Sequence, residues 1–204
     1  LASHQRAARA WAEGFMSDLV VPYLGVATDN NVRADTSPEK LAKLKPSFAA
    51  DGTLTAGNST PMTDGSASVL LASEDWAQAR GLPVQAWMTY GKAAAVDFVG
   101  DEGLLMAPAY AVPRMLADAG LTLQDFDFYE IHEAFAAQTL ATLKAWEDEA
   151  FCKNRLGLDA PLGSIDRAKL NVKGGSLAAA HPFAATGGRI VANLAKLLEE
   201  KGSG

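Results

Sequence analysis

Three short segments of the chain have the hydrophobic patterns of β-strands. PVQAWMTY at 83–90 alternates apolar with more polar residues, which is the period of a strand with one buried face. The compact apolar runs ASVLLA at 67–72 and FDFYEI at 126–131 predict two further strands, and the first is expected to be buried. These segments predict a β-sheet in the later two thirds of the chain.

Helix signals lie between and around these strands. In the segment that follows His132, Ala136, Leu140 and Leu143 have the spacing i, i+4, i+7, so they predict the buried face of an amphipathic helix. Strands thus alternate with helices over 66–200, the pattern of a layered α/β sheet. The predicted helices cover 2–15, 39–45, 74–80, 110–119, 132–150 and a last segment that opens at 186–188.

Composition removes several classes of function. The chain is 49% hydrophobic and 21% charged, as in an ordinary globular α/β protein. Its formal net charge of −6 disfavours a nucleic-acid partner, which needs clustered Lys and Arg. No apolar run approaches the ~18–20 residues of a membrane span. The single cysteine, Cys152, excludes an internal disulfide and is expected to be non-catalytic, because no histidine or Gly-rich turn adjoins it.

FYEIHEAF places His132 where a predicted strand gives way to a helix. Residues just beyond the carboxyl ends of strands form the active-site crevice of α/β sheets. A zinc motif is excluded, because HExxH needs a second histidine where Ala136 stands, and no other metal site is expected. The motif therefore predicts either an active-site histidine or an ordinary hydrogen-bonded one.

GGSLAAAHPFAATGGR, at 174–189, presents a second histidine from a stiff turn. Gly174 and Gly175 permit backbone shapes or close approaches that a Cβ forbids. Pro182 biases His181 away from helix, so the imidazole is offered from extended backbone. A phosphate cradle is a weak alternative, since the chain lacks GxxxxGK and GxGxxG, and a Gly-rich turn with a buried histidine stays open. The small polar residues of GNSTPMTDG at 57–65 either line a site or build turns, and turns are the favoured interpretation.

Five segments in chain order resemble the thiolases, which make or cleave 3-ketoacyl-CoA. They cover nearly the whole chain from residue 3 to residue 189. HEAF, with His132 where most thiolases have Asn, resembles the fatty-acid-oxidation type, such as the β-subunit of the trifunctional protein. The matching segments are SHQRAARAWAEG, VRADTSPEKLAKLKPSF, GTLTAGNSTPMTDGSASVLLAS, LLMAPAYAVPRMLADAGLTLQDFDFYEIHEAFAAQ and NVKGGSLAAAHPFAATGGR.

The resemblance implies a five-layered αβαβα fold of two similar α/β halves with an inserted loop domain. On that map, residues 1–50 are the tail of the loop domain and residues 51–81 the end of the N-terminal half. Residues 82–204 are the C-terminal half, truncated before a CxGGGxG loop. The family's nucleophilic cysteine and that CxGGGxG loop are both missing, and Cys152 matches neither. Ala180 also departs from the family, which usually has Gly before its His-Pro.

The resemblance also implies roles for individual residues. His181 would activate the nucleophilic cysteine, and His132 would help to hold the substrate oxygen. Arg33, Phe183 and Glu133 are the residues expected to contribute to the substrate and CoA site. Glu133 would do so indirectly, by supporting the residues that contact the substrate. Acyl-CoA and CoA are the implied substrates, without a tightly bound cofactor.

The implied assembly is a homodimer or homotetramer, with a fatty-acid-oxidation α-subunit as a further partner. Its compartment would be the bacterial cytoplasm or, in a eukaryote, the mitochondrial matrix. The principal alternative is a thiolase-like protein without turnover that binds acyl-CoA or lipid. A decarboxylating condensing enzyme is a third possibility, and HEAF and HPFAATG fit it less well.

Overall fold

The computed structural model describes residues 1–203, which form helices joined by long extended or irregular segments. None of the helices in this range is both long and apolar enough to cross a membrane. The α-helices are α1 (Ala2–Ala12), α2 (Pro38–Leu41), α3 (Glu74–Ala79), α4 (Ala107–Ala119), α5 (Ala136–Glu147), α6 (Glu149–Asn154), α7 (Ser176–Ala179) and α8 (Thr186–Lys201), and Arg167–Lys169 form a 3₁₀ turn.

Local capping chemistry sets several helix ends where the sequence predicts them. Ser73 caps α3 by accepting a hydrogen bond from the Trp76 N–H at 3.4 Å. α4 ends at Gly120, whose φ of 66° lies in the left-handed region that glycine adopts without a Cβ penalty. The last helix begins at Thr186, as predicted.

The predicted strands at 67–72 and 83–90 do not form a sheet. Neither segment is assigned as a strand, and the pairing found within 1–203 consists of four isolated bridges. The prediction that 67–72 is buried is wrong, because Leu70 is 73% exposed, and Met88 in the second segment is 76% exposed. The physical reason is that a β-strand forms only where a neighbouring segment provides partners for its backbone N–H and C=O groups. None of the four bridges involves either segment, and most of their apolar side chains remain exposed.

The third predicted strand does find a neighbour at one point. The Tyr129 N–H donates to the Lys169 carbonyl at 3.0 Å, and the Asn171 N–H donates to the Tyr129 carbonyl at 2.8 Å, which makes a parallel bridge. The Asn171 side chain extends the pairing by one residue. Its Oδ1 accepts from the Ile131 N–H at 2.8 Å, and its Nδ2 donates to the Ile131 carbonyl at 2.9 Å. Asn171 is buried and has a φ of 46°, a conformation that Asn tolerates better than most residues.

The main apolar cluster lies beneath this bridge. α5 begins at Ala136, four residues after His132, rather than at the histidine itself. Its buried stripe passes through Leu143 and Trp146, and Leu140, expected in the core, is 46% exposed. The prediction failed for Leu140 because the neighbouring elements cover the α5 face that carries Trp146. The buried members of the cluster are Leu116, Leu123, Leu143, Trp146, Ile165 and Leu170.

The N-terminal helix packs onto the C-terminal part of the chain. α1 contacts α7, and its Ala10 joins Phe15 and Leu197 in a second apolar cluster. Lys196 of α8 donates to the Phe15 carbonyl at 2.6 Å and pairs with Asp18, so this contact also carries polar bonds. Residues 1–19 and the histidine loop are therefore parts of one packed body.

Replacing Asn171 with Ala should destabilise the protein strongly. The change removes both side-chain hydrogen bonds to Ile131 and leaves that residue's N–H and C=O without partners. We expect the free energy of unfolding in urea to fall by about 3 kcal/mol. Asn154→Ala, at the exposed end of α6, is the matched control and should change it by less than about 0.5 kcal/mol. Equal effects of the two changes would contradict the assignment.

Candidate active site

The Gly-rich start of the histidine loop lies against α1 and against the segment after Ile131. Gly174 has a φ of 89°, and a Cβ there would lie 2.6 Å from the Ala7 Cβ. A Cβ on Gly175 would overlap the Glu133 carboxylate. Both glycines thus permit close approaches that a side chain would forbid, as the sequence predicts.

His132 is held by a hydroxyl at the first turn of α7. Its Nδ1 lies 2.7 Å from the Ser176 Oγ, and the Arg189 Nη2 donates to the same oxygen at 2.9 Å. Ser176 is completely buried, so its hydroxyl contacts only protein atoms. The ring of His132 is thereby anchored on its Nδ1 side, which leaves the Nε2 side for other partners.

His181 lies beside His132, with the two ring centroids 4.1 Å apart and the planes inclined by 44°. Its Nδ1 lies 2.7 Å from the Thr186 Oγ1, and that hydroxyl also reaches the Pro182 carbonyl at a long 3.5 Å. Each histidine therefore has a hydroxyl at Nδ1. The structure brings together the two histidines that the sequence singled out from separate motifs.

A cleft of about 340 Å³ opens beside His181. The His181 ring centroid is 5.0 Å from that of Phe183, whose side chain is 84% exposed at the mouth of the cleft. The opposite wall is the segment Met62–Gly65, part of the stretch whose sequence predicts either turns or the lining of a site. It is placed by backbone pairing, because the Thr60 N–H donates to the Ala134 carbonyl at 2.9 Å.

Burial shifts the proton affinity of two groups at this site. The pKa of His132 falls to about 4 through burial, with further lowering by the charges of His181 and Arg189. His132 is therefore neutral near pH 7. Burial raises the pKa of Glu130 to about 8, against the opposing charge of Arg189, and its Oε1 has no hydrogen-bond partner within residues 1–203.

The other predicted site residues lie in different settings. Glu133 Oε2 accepts from the Ser3 hydroxyl at 2.9 Å and from the Leu177 N–H at 3.4 Å, so it ties α1 to α7. Arg33 is exposed in the loop after α1, and its backbone N–H donates to the His4 Nδ1 at 3.1 Å. Contributions of Arg33, Phe183 and Glu133 to substrate binding stay predictions.

Three residues of the site carried no individual signal in the sequence. Ser176, Thr186 and Arg189 all lie in the quoted loop, but only the folded backbone brings them to the imidazoles.

Cys152 lies in α6, where it is completely buried and donates to the carbonyls of Ala145 and Trp146, both at 3.4 Å.

Comparison with known proteins assigns the family. The model of the thiolase C-terminal domain matches residues 84–204, and that of the thiolase N-terminal domain matches residues 1–75. The chain belongs to the thiolase family. It is 44% identical over 211 aligned positions to the 3-ketoacyl-CoA thiolase of Yersinia pestis strain Pestoides F, and the match covers 100% of this chain and 48% of the relative. The chain thus spans about half the length of the curated relatives it matches.

Solved thiolase structures share the fold, which confirms the predicted thiolase-like α/β class. The acetyl-CoA acetyltransferase of Bacillus anthracis is 34% identical with a TM-score of 0.75, over 98% of this chain and 48% of that one. Human mitochondrial 3-ketoacyl-CoA thiolase in complex with CoA is 31% identical with a TM-score of 0.74, over 98% of this chain and 46% of that one.

Ala180, the departure from the family's usual Gly, is strained in this thiolase chain. Its φ of 66° and ψ of −172° lie in a region that is nearly exclusive to glycine, and the residue is completely buried. Such a conformation costs on the order of 1–3 kcal/mol for a residue with a Cβ. The strain lies one residue before His181, in the turn that presents the imidazole.

Replacing Ala180 with Gly should stabilise the protein. Relief of the strained φ exceeds the entropy of glycine and the lost methyl burial, so we expect the free energy of unfolding to rise by about 1 kcal/mol. Ala178→Gly removes the same methyl two residues earlier, from regular α7 backbone at a completely buried position. This control should lower stability by about 1–2 kcal/mol, and a lower stability of Ala180→Gly as well would contradict the prediction.

Replacing Glu130 with Gln should alter how stability depends on pH. Because the folded-state pKa of Glu130 is raised from 4.5 to about 8, the folded state holds a proton that the unfolded state releases in this interval. Stability is therefore lost as pH rises from about 4.5 to about 8. Glu130→Gln should flatten that decline, as measured by urea unfolding at several pH values. An unchanged slope would show that Glu130 titrates normally.

Proposed function

We propose that the protein is a thiolase-type C-acyltransferase that acts on 3-ketoacyl-CoA and CoA. The observation that carries the proposal is the pair of imidazoles 4.1 Å apart, of which His181 lines an open cleft. The relatives that the chain resembles over its whole length are named 3-ketoacyl-CoA thiolase, which supports the same chemistry.

His181 is the proposed base. A Cys thiol is mostly protonated near neutral pH and needs a neighbouring base to become the nucleophile. The second contact of the Thr186 hydroxyl is a carbonyl, which can only accept, so the hydroxyl hydrogen points there and Oγ1 accepts from His181 Nδ1. This arrangement leaves a lone pair on His181 Nε2. The resemblance assigns the thiol itself to the family's nucleophile motif, which this chain does not contain.

The proposed reaction begins when His181 Nε2 takes the thiol proton and the thiolate adds to the 3-keto carbon. The bond between C2 and C3 then breaks, and the acyl group stays on sulfur as a thioester. The acetyl-CoA enolate takes a proton at C2 from the second cysteine of the family. CoA gives its thiol proton to that cysteine and attacks the thioester, which releases a shortened acyl-CoA, and the departing cysteine thiolate takes its proton back from His181 Nε2. In condensation, an acetyl-CoA enolate attacks the acyl-enzyme instead.

His132 is the proposed hydrogen-bond donor to the substrate oxygen. A preorganised donor aimed at developing negative charge contributes ~10²–10³ in rate in well-studied enzymes. The low pKa of His132, about 4, keeps the ring neutral, so it stabilises the oxygen as a dipole and does not give up a proton.

Phe183, Arg33 and Glu133 complete the proposed substrate site. The exposed ring of Phe183 offers an apolar face at the mouth of the cleft. The exposed charge of Arg33 suits the phosphates of CoA. Glu133 contributes indirectly, because its carboxylate holds α1 against α7. Assembly into a homodimer or homotetramer, with or without a fatty-acid-oxidation α-subunit, belongs to the same proposal, as does a cytoplasmic or mitochondrial location.

His181→Ala in the complete protein should lower CoA-dependent cleavage of 3-ketoacyl-CoA by ~10² or more, because the thiol loses its base. Cys152→Ala is the control and should retain thiolysis, since that thiol is buried away from the cleft. Unchanged turnover in His181→Ala would overturn the role of His181. Binding of CoA without turnover in the unaltered protein would instead favour a non-catalytic acyl-CoA-binding function.

A further inference from the structure

We infer that Ser176, itself oriented by Arg189, is a positioning residue that fixes His132 as the tautomer with its hydrogen on Nε2. The catalytic consequence rests on the proposed function, whereas the tautomer is a property of the folded chain.

The Ser176 hydroxyl has two neighbours with different capacities. The Arg189 guanidinium carries only donors, so at 2.9 Å it occupies a lone pair on Ser176 Oγ. His132 Nδ1, at 2.7 Å, is the second neighbour and is able to donate or accept. The Ser176 hydrogen must therefore go either to His132 or to some other acceptor.

No other acceptor lies within hydrogen-bonding distance of the Ser176 hydroxyl among residues 1–203. Ser176 is completely buried, so bulk water does not reach it. A hydrogen on His132 Nδ1 would leave the Ser176 hydrogen unpaired, which costs the full desolvation penalty of a buried polar group. Ser176 donating to Nδ1 satisfies both groups and leaves the ring hydrogen on Nε2.

The position of that hydrogen decides what the ring can do for a substrate. With hydrogen on Nε2, His132 presents a donor on the side away from Ser176, where an oxyanion would accept it. With hydrogen on Nδ1, the same ring would present a lone pair, which repels negative charge. Arg189 thus affects the substrate oxygen only indirectly, because it orients Ser176 and Ser176 orients His132.

The tautomer can be observed directly. In the complete protein labelled with ¹⁵N-histidine, the His132 ring nitrogens are assigned from their loss in His132→Asn. We expect a protonated Nε2 and an unprotonated Nδ1 at pH 7. Ser176→Ala should shift this pattern toward a mixture, and Thr142→Val, which removes another buried hydroxyl, should leave it unchanged. A protonated Nδ1 in the unaltered protein would overturn the inference.

A double-mutant cycle separates positioning from a general structural role. Ser176→Ala should lower kcat about tenfold with little change in the KM for CoA, which is less than the ~10²–10³ lost when an oxyanion donor is removed outright. In His132→Asn the amide donor has no tautomer to set, so the same change should lower kcat by less than about threefold. Equal losses in both backgrounds would overturn the positioning role.

If His132→Asn retains too little activity for the double-mutant cycle, the ¹⁵N spectrum of the His132 ring tests the inference without it. A protein with hydrogen on His132 Nε2 but no thiolysis would sink the proposed function and leave the tautomer assignment standing. An active thiolase with hydrogen on His132 Nδ1 would overturn the tautomer assignment and leave the proposed function standing.

Discussion

The double hydrogen bond between the Asn171 side chain and the Ile131 backbone is the constraint on which the site depends. It binds the end of one segment, one residue before His132, to the start of another, five residues before Ser176. Both bonds are buried, so breaking them leaves polar backbone groups without water. With these two segments fixed, the contact between His132 and Ser176 follows within a few residues of chain on either side.

The sequence predicted the helices better than the sheet, for a physical reason. Ser73 and Gly120 set helix ends through bonds and backbone angles within a few residues of themselves, so their effect is visible in a short window. The predicted strand that contains Leu70 needs a pairing partner from a distant part of the sequence. Its apolar pattern predicts only that the segment is suited to burial. The exposed side chains show that no part of residues 1–203 buries them.

The candidate site was predictable in part for the same reason. His132 and His181 stand in motifs with local signatures, and the pair Gly174-Gly175 predicts a close backbone approach, which the structure shows for Gly174 against α1. Ser176, Thr186 and Arg189 matter only through contacts with groups that lie far away in sequence or on another turn. The 44-residue separation between His132 and Ser176 leaves no periodic or spacing signal. Such residues become visible only when hydrogen-bond donors and acceptors are counted in three dimensions.

The two histidines illustrate how equal contacts produce unequal chemistry. Both have a hydroxyl 2.7 Å from Nδ1, and the difference lies in what else each hydroxyl touches. Ser176 also contacts a guanidinium, which forces it to accept there and to donate to His132. Thr186 also contacts a carbonyl, which lets it donate there and accept from His181. One ring is thereby left with a donor at Nε2 and its neighbour with a lone pair. The proposed thiolase chemistry requires that division between a donor for an oxygen and a base for a thiol, and two hydroxyl side chains are sufficient to produce it.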